Sequence, residues 1–165
     1  MNISIALILP EQASKAIEEA LRDHVEHMKS VVPSKRWSIP LVSFQTDTTT
    51  LEDFVQKKPP LRQQWVQTTK LLSIGEGAIK NELWVHIQQT PAIQEFQKSI
   101  AAYAEEHSMN DVRITQTPHI FLGEYETQSA LGIPDSPLNM SFGIQEVAIV
   151  QEDPYEILGS IAVTP

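Results

Sequence analysis

Cysteine is absent from the 165 residues. That excludes disulfides, thiolate nucleophiles, cysteine-ligated zinc and iron–sulfur clusters. Long apolar runs are missing too. Ile5-Ala6-Leu7-Ile8-Leu9 is the strongest near the start, and Pro10-Glu11 ends it. A spanning helix needs about 18 apolar residues or more. A signal peptide would carry basic residues before such a run, and none is there. The expectation is a cytoplasmic protein without membrane contact. Glycine is scarce, at six. Gly75-Glu76-Gly77 has no Gly-Lys-Ser/Thr after it, so it reads as a turn rather than a phosphate cradle. Positive charge is the last shortage. Twelve Lys+Arg stand against 21 Asp+Glu, for a net charge of −9. After Arg113 there are seven acids and no Lys or Arg. Phosphate contacts need cations, so generic RNA or DNA binding is disfavoured.

What is present is the make-up of a globular chain, 41% apolar and 20% charged,. The length suits a single bilobal domain over residues 1–165. Ile3, Ile5, Leu7 and Leu9 alternate as a strand. Pro10 opens a helix whose stripe, Ala13, Ile17, Leu21, Val25 and Met28, runs to about Ser30. Arg36 to Phe44 reads as a strand that Pro40 demotes to an edge or bulge. Thr50 is the expected cap of a short helix over 51–57. Trp65 to Ile74 and Leu83 to Gln88 read as strands. Thr90-Pro91 starts a second long helix with Ile93, Phe96, Ile100 and Tyr103 on its buried side. Arg113 to Tyr125 is extended, residues 127–141 read as a loop, and Phe142 to Val150 and Tyr155 to Val163 form a closing antiparallel pair.

The order strand, proline-started helix, strand occurs twice. Pro10 and Pro91 are 81 positions apart, and the same offset carries Ser38-Ile39-Pro40-Leu41 onto His119-Ile120-Phe121-Leu122. Residues of about 1–45 and 83–125 thus read as two repeat units, with closing strands over 142–163. The shared identity is thin, and chance remains the alternative to duplication. Duplication predicts two lobes related by a pseudo-twofold axis, with the second strand of each facing a common cleft.

Thr117-Pro118-His119-Ile120-Phe121-Leu122 resembles the second signature of the 2H phosphoesterase superfamily, in its 2′-5′ RNA ligase/cyclic phosphodiesterase (LigT-like) branch. The resemblance extends to Leu9-Pro10-Glu11, Leu83-Trp84-Val85, Phe142 to Val150 and Tyr155-Glu156-Ile157-Leu158. It implies an α+β fold of two antiparallel-rich sheets around a cleft, with helices packed outside. It also implies one His-x-Thr motif per lobe. Residues i and i+2 of a strand project from one face. Each motif therefore sends an imidazole and a hydroxyl into the cleft, one imidazole as general base and the other as general acid. Typical substrates are a 2′,3′-cyclic phosphate or an RNA end, and neither metal nor cofactor is implied.

Here the motifs are degenerate. Ser38-Ile39-Pro40 lacks the first histidine and hydroxyl, and His119-Ile120-Phe121 keeps only the histidine. A serine hydroxyl is no proton shuttle near neutral pH. Whether the chain is an enzyme stays open. The leading expectation is a 2H-like pseudoenzyme with little or no catalysis, whose cleft takes a nucleotide-like or other phosphorylated small ligand. One alternative is an active phosphodiesterase that pairs His119 with His86 or a carboxylate such as Glu124. Another is a non-catalytic protein-interaction module. Oligomeric state is not legible. His119 is the one catalytic candidate, as a remnant base or as a cleft histidine without chemistry. Ser38, Pro40 and Phe121 are the other motif positions. Lys35, Arg36, Trp37 and His86 are the ligand-binding candidates. Lys35 and Arg36 read equally as a solvated turn, Trp37 as a packed residue and His86 as a rim histidine.

Overall fold

Residues 1–57, 59, 61–74, 81–125 and 136–163 are described by a computed structural model. The alternation at the start forms β1 (Asn2–Ile8), with Ile3, Ile5 and Leu7 in the core. Ser4 and Ala6, on the other face, are buried as well. Small residues there leave room for what lies opposite. β1 runs antiparallel between β3 (Ser38–Gln45) and β10 (Glu146–Gln151). β6 (Asn110–Ile114) flanks β3, and β11 (Glu156–Ala162) flanks β10. The first sheet therefore has the order β11-β10-β1-β3-β6. The second is built from β2 (Met28–Val31), β7 (His119–Tyr125), β5 (Asn81–Ile87), β4 (Gln64–Ile74) and the short β8 (Ser136–Pro137), in that order. β9 (Ser141–Ile144) pairs with the first part of β4. With α1 (Glu11–Leu21), α2 (Thr48–Gln56) and α3 (Pro91–Glu106) the fold is α+β, with two antiparallel sheets, as the sequence implies. Among the described residues no helix is long and apolar enough to cross a membrane.

The two sheets are cross-linked by exchanged strands. β2, which follows β1 and α1 in the chain, pairs with β7 in the second sheet, and β6, which follows β5 and α3, pairs with β3 in the first. The details match on the two sides. In the first sheet Ile8 stands opposite Ser38 and Ala6 opposite Pro40, and a bulge follows. In the second His86 stands opposite His119 and Trp84 opposite Phe121, with a bulge at the same place. The bulged residues are Leu41 and Leu122. The carbonyl of Leu41 accepts from the Thr115 N–H at 2.9 Å, and that of Leu122 from the Val32 N–H at 2.9 Å. Burial alternates identically along the first seven residues of β3 and along β7.

One apolar core joins both sheets and the helices. α3 lies against β3 and β6. Its buried Gln97 donates through Nε2 to the carbonyls of Leu41 (3.2 Å) and Thr115 (2.9 Å), which ties the helix to the bulge. Thr90 caps α3 by accepting from the Ile93 N–H at 3.2 Å, with Pro91 at the first turn.

Several sequence expectations need correction. The first helix stops at Leu21, not Ser30. Val25 is exposed, and Met28 to Val31 are drawn into a strand by β7. Asp47, not Thr50, caps α2, accepting from the Thr50 N–H at 2.8 Å. β3 is an inner strand, so Pro40 marks a bulge and not an edge. The stretch 142–150 is two strands in different sheets. The Gly75-Glu76-Gly77 turn and most of the 127–141 loop lie outside the described residues.

Gly123 is where β2 closes on β7. A Cβ there would lie 2.1 Å from the Ser30 carbonyl oxygen and 2.5 Å from Met28 Cε. The first of these is backbone and cannot swing away. Gly123→Ala is expected to cost at least about 2 kcal/mol, measured by urea unfolding. A loss below about 0.5 kcal/mol would show that β2 does not bear on this position.

Candidate functional site

Each motif strand is entered from a connector that has just left the other sheet. Residues 32–37 lead from β2 to β3, and residues 115–118 from β6 to β7. The connectors fix where Ser38 and His119, the first residues of their strands, begin. Pro40 and Phe121 follow two positions on and share their faces. All four are half-buried, and all four line one cavity of about 320 Å³ between the sheets. Its remaining lining is Ser4 and Ala6 of β1, Val150 and Glu152 around the end of β10, Val32 and Arg36 of the connector, and Tyr155.

His119 is held on two sides. Its Nδ1 lies 2.8 Å from the Thr117 carbonyl oxygen. A carbonyl only accepts, so Nδ1 carries the proton and the neutral ring presents a lone pair at Nε2. The Trp84 indole stacks on the imidazole, with centroids 3.5 Å apart and planes inclined by 8°. Glu82 fixes the indole in turn, accepting from Nε1 at 2.7 Å. Burial holds the His119 pKa below the ordinary histidine value. The Thr117 carbonyl and Glu82 act against that shift, and His86 adds to it. At neutral pH the ring is therefore a base, not an acid.

His86 stands directly opposite His119 on the neighbouring strand, and its Nδ1 is 2.7 Å from the Thr69 hydroxyl. It does not line the cavity. Glu124 lies five residues along β7, about 16 Å away at strand spacing, and is not part of the cavity either. Arg36 does reach it. Its guanidinium lies over the Tyr155 ring, 4.0 Å from the centroid, and its carbonyl accepts from the Tyr155 hydroxyl at 2.9 Å. Lys35 is exposed and outside the lining.

Trp37 must be corrected. It is 4% exposed, and its Nε1 donates to the Val32 carbonyl at 3.0 Å, so it is a core residue that offers no face to a ligand. Among the described residues no cluster of three or more His, Asp or Glu side chains could hold a metal.

Sequence reasoning missed Ser4, Ala6, Glu152 and Tyr155. Ser4 and Ala6 carry a faint signal, two small residues alternating with large apolar ones. Glu152 and Tyr155 carry none, because they reach the cavity only through the pairing of β10 with β1. Glu152 accepts from the Ser4 hydroxyl at 3.0 Å.

Chemically, the described residues give the cavity one imidazole base, one guanidinium, one carboxylate and the Ser38 hydroxyl in largely apolar walls. Where the resemblance implies hydroxyls, there are a pyrrolidine ring and a phenyl ring.

No family model and no curated protein matches the chain. Solved structures do match. TT0787 of Thermus thermophilus superposes with a TM-score of 0.76 at 16% identity. LigT of E. coli in its apo form gives 0.71 at 18%, and LigT complexed with 3′-AMP gives 0.69 at 16%. Each match covers 99% of this chain and 98% of the other. LigT has also been solved with ATP and with NADP+. The chain has the fold of these proteins from end to end.

Burial of His119 has a measurable sign. Its NMR titration midpoint is expected below about 6.5, the ordinary histidine value. Above that pH the ring is neutral folded and unfolded, and its contribution to stability is complete. As pH falls below it the unfolded chain takes up the proton first, so stability drops until the folded pKa is passed. His119→Gln removes that component. A midpoint at or above 6.5 would contradict the burial argument.

Proposed function

We propose that this chain is a degenerate member of the 2H phosphoesterase superfamily, related to its 2′-5′ RNA ligase/cyclic phosphodiesterase branch. In this reading the inter-sheet cleft survives as a small-ligand site and phosphodiester chemistry is lost. The observation that carries the reading is the cavity itself. Ser38, Pro40, His119 and Phe121, the four motif positions, line one space from opposite sheets. The matched registers and bulges of β1/β3 and β5/β7 support an internal duplication over about 1–45 and 83–125.

The loss follows from the proton balance. Opening a 2′,3′-cyclic phosphate needs a base for the attacking water and an acid for the leaving oxygen, on opposite sides of phosphorus. Each is worth roughly 10²–10⁴-fold in rate. His119 can serve as base. Ser38 stands where the acid belongs and has no accessible proton near neutral pH. Pro40 and Phe121 offer no donor to the charge that develops on phosphate. His86 could extend the chemistry only from the His119 side, because both imidazoles stand on adjacent strands of one sheet. The ligand complexes of LigT support a nucleotide-like or other small molecule as occupant.

Incubation with 2′,3′-cyclic AMP, with nucleoside monophosphate followed by chromatography, is expected to give the same background for the wild type and His119→Ala. Turnover that His119→Ala abolishes would overturn the reading.

A further inference from the structure

Resting on the small-ligand reading of the cleft, the charges around the cavity narrow the class of ligand. Arg36 is its one cation among the described residues. Stacking on Tyr155 occupies one face of the guanidinium, and the Tyr155 hydroxyl ties the connector down through the Arg36 carbonyl. The in-plane N–H edges stay available. Among the described residues no carboxylate lies within ion-pairing distance of them. Arg36 is exposed, so the cavity lining carries a solvent-accessible guanidinium, positioned by Tyr155, whose charge no described carboxylate neutralises.

What surrounds it is a poor phosphate site. Glu152 shares the cavity and repels a dianion. The Ser4 hydroxyl is already engaged with Glu152. His119 is neutral and directs its only N–H at Thr117. The walls are Ala6, Pro40, Phe121 and Val150. The Ser38 hydroxyl is the one further donor, so a phosphate monoester would still leave most of its oxygens without donors, which is costly in an apolar space. A carboxylate carries one charge and is planar. It matches the fork of a single guanidinium with two parallel hydrogen bonds. A flat apolar body attached to it would lie against Phe121 and Pro40, and the volume of about 320 Å³ admits two fused rings.

We propose that the cleft binds an aromatic monocarboxylate, with its carboxylate on Arg36 and its ring system against Phe121 and Pro40, in place of a phosphorylated ligand.

Calorimetric titration of the purified chain tests this with four probes: naphthalene-2-carboxylate, naphthalene-2-methanol, 5′-AMP and inorganic phosphate. The carboxylate is expected to bind about fivefold more tightly than the alcohol, the gain of one partly exposed ion pair. AMP and phosphate are expected not to displace it. Arg36→Gln should bring the carboxylate to the level of the alcohol and leave the alcohol unchanged, with an unaltered melting curve. Phe121→Thr should weaken both. Tighter binding of AMP or phosphate would overturn the inference while leaving a ligand-binding cleft. Binding of the carboxylate that neither substitution weakens would place it elsewhere, and would also overturn it. If none of the four binds, the inference fails together with the small-ligand reading. Turnover of a cyclic phosphate bears on the loss of catalysis alone.

Discussion

The site depends on the exchange of one strand between the two sheets. β2 completes the second sheet and β6 the first, so neither motif strand is bounded only by its own part of the chain. The bulges at Leu41 and Leu122 turn a backbone carbonyl out of each ladder, and the incoming connector satisfies it through Thr115 or Val32. A buried carbonyl without such a partner would cost on the order of 1–3 kcal/mol. The same hydrogen bonds that satisfy the bulges therefore set where β3 and β7 begin. They place Ser38 and His119 at the mouth of one cavity. The start of each motif strand is thus fixed by backbone hydrogen bonds and not by the motif side chains.

Under the proposed reading, that independence is what lets such a site lose its chemistry and keep its shape. The positions that point into the cleft make few demands on folding. Ser38, Pro40, His119 and Phe121 are half-buried, while the residues between them, Ile39, Leu41, Ile120 and Leu122, are in the core. Under the proposed reading, rings in place of hydroxyls at the first set change what the cavity can bind, and the registers of β1/β3 and β5/β7 still match. His119 stays ordered through groups outside the motif, the Thr117 carbonyl and the Glu82-held Trp84 indole. Burial that keeps it neutral removes a positive charge from a cleft whose remaining charges, among the described residues, are Arg36 and Glu152.

Much of this was legible in the sequence where the signal is local. Thr90-Pro91 marks a helix start by sterics and one side-chain hydrogen bond, and it is found there. The alternation in β1 and the α+β class were readable for the same reason. The Thr-Pro-His resemblance pointed to a fold that structural likeness bears out at identities of 16–18%. What was not legible is what tertiary pairing decides. Met28 continues a helical stripe, yet β7 claims it as strand. Phe142 to Val150 reads as one strand, yet it crosses from one sheet to the other at Gln145. Trp37 adjoins the motif in sequence, but strand alternation turns it into the core. Glu152 and Tyr155 enter the cavity from a distant hairpin that no local pattern announces.

The central claim is that the cleft retains its geometry and lacks only its reactive groups. The most direct measurement is hydrolysis of 2′,3′-cyclic AMP by the triple variant Ser38→His, Pro40→Thr, Phe121→Thr, beside the wild type and with melting curves for both. The account predicts that the triple variant turns over at least about 100-fold faster than the wild type, and that adding His119→Ala removes the gain. A folded triple variant with no gain, or a wild type that already turns over as fast, would contradict it.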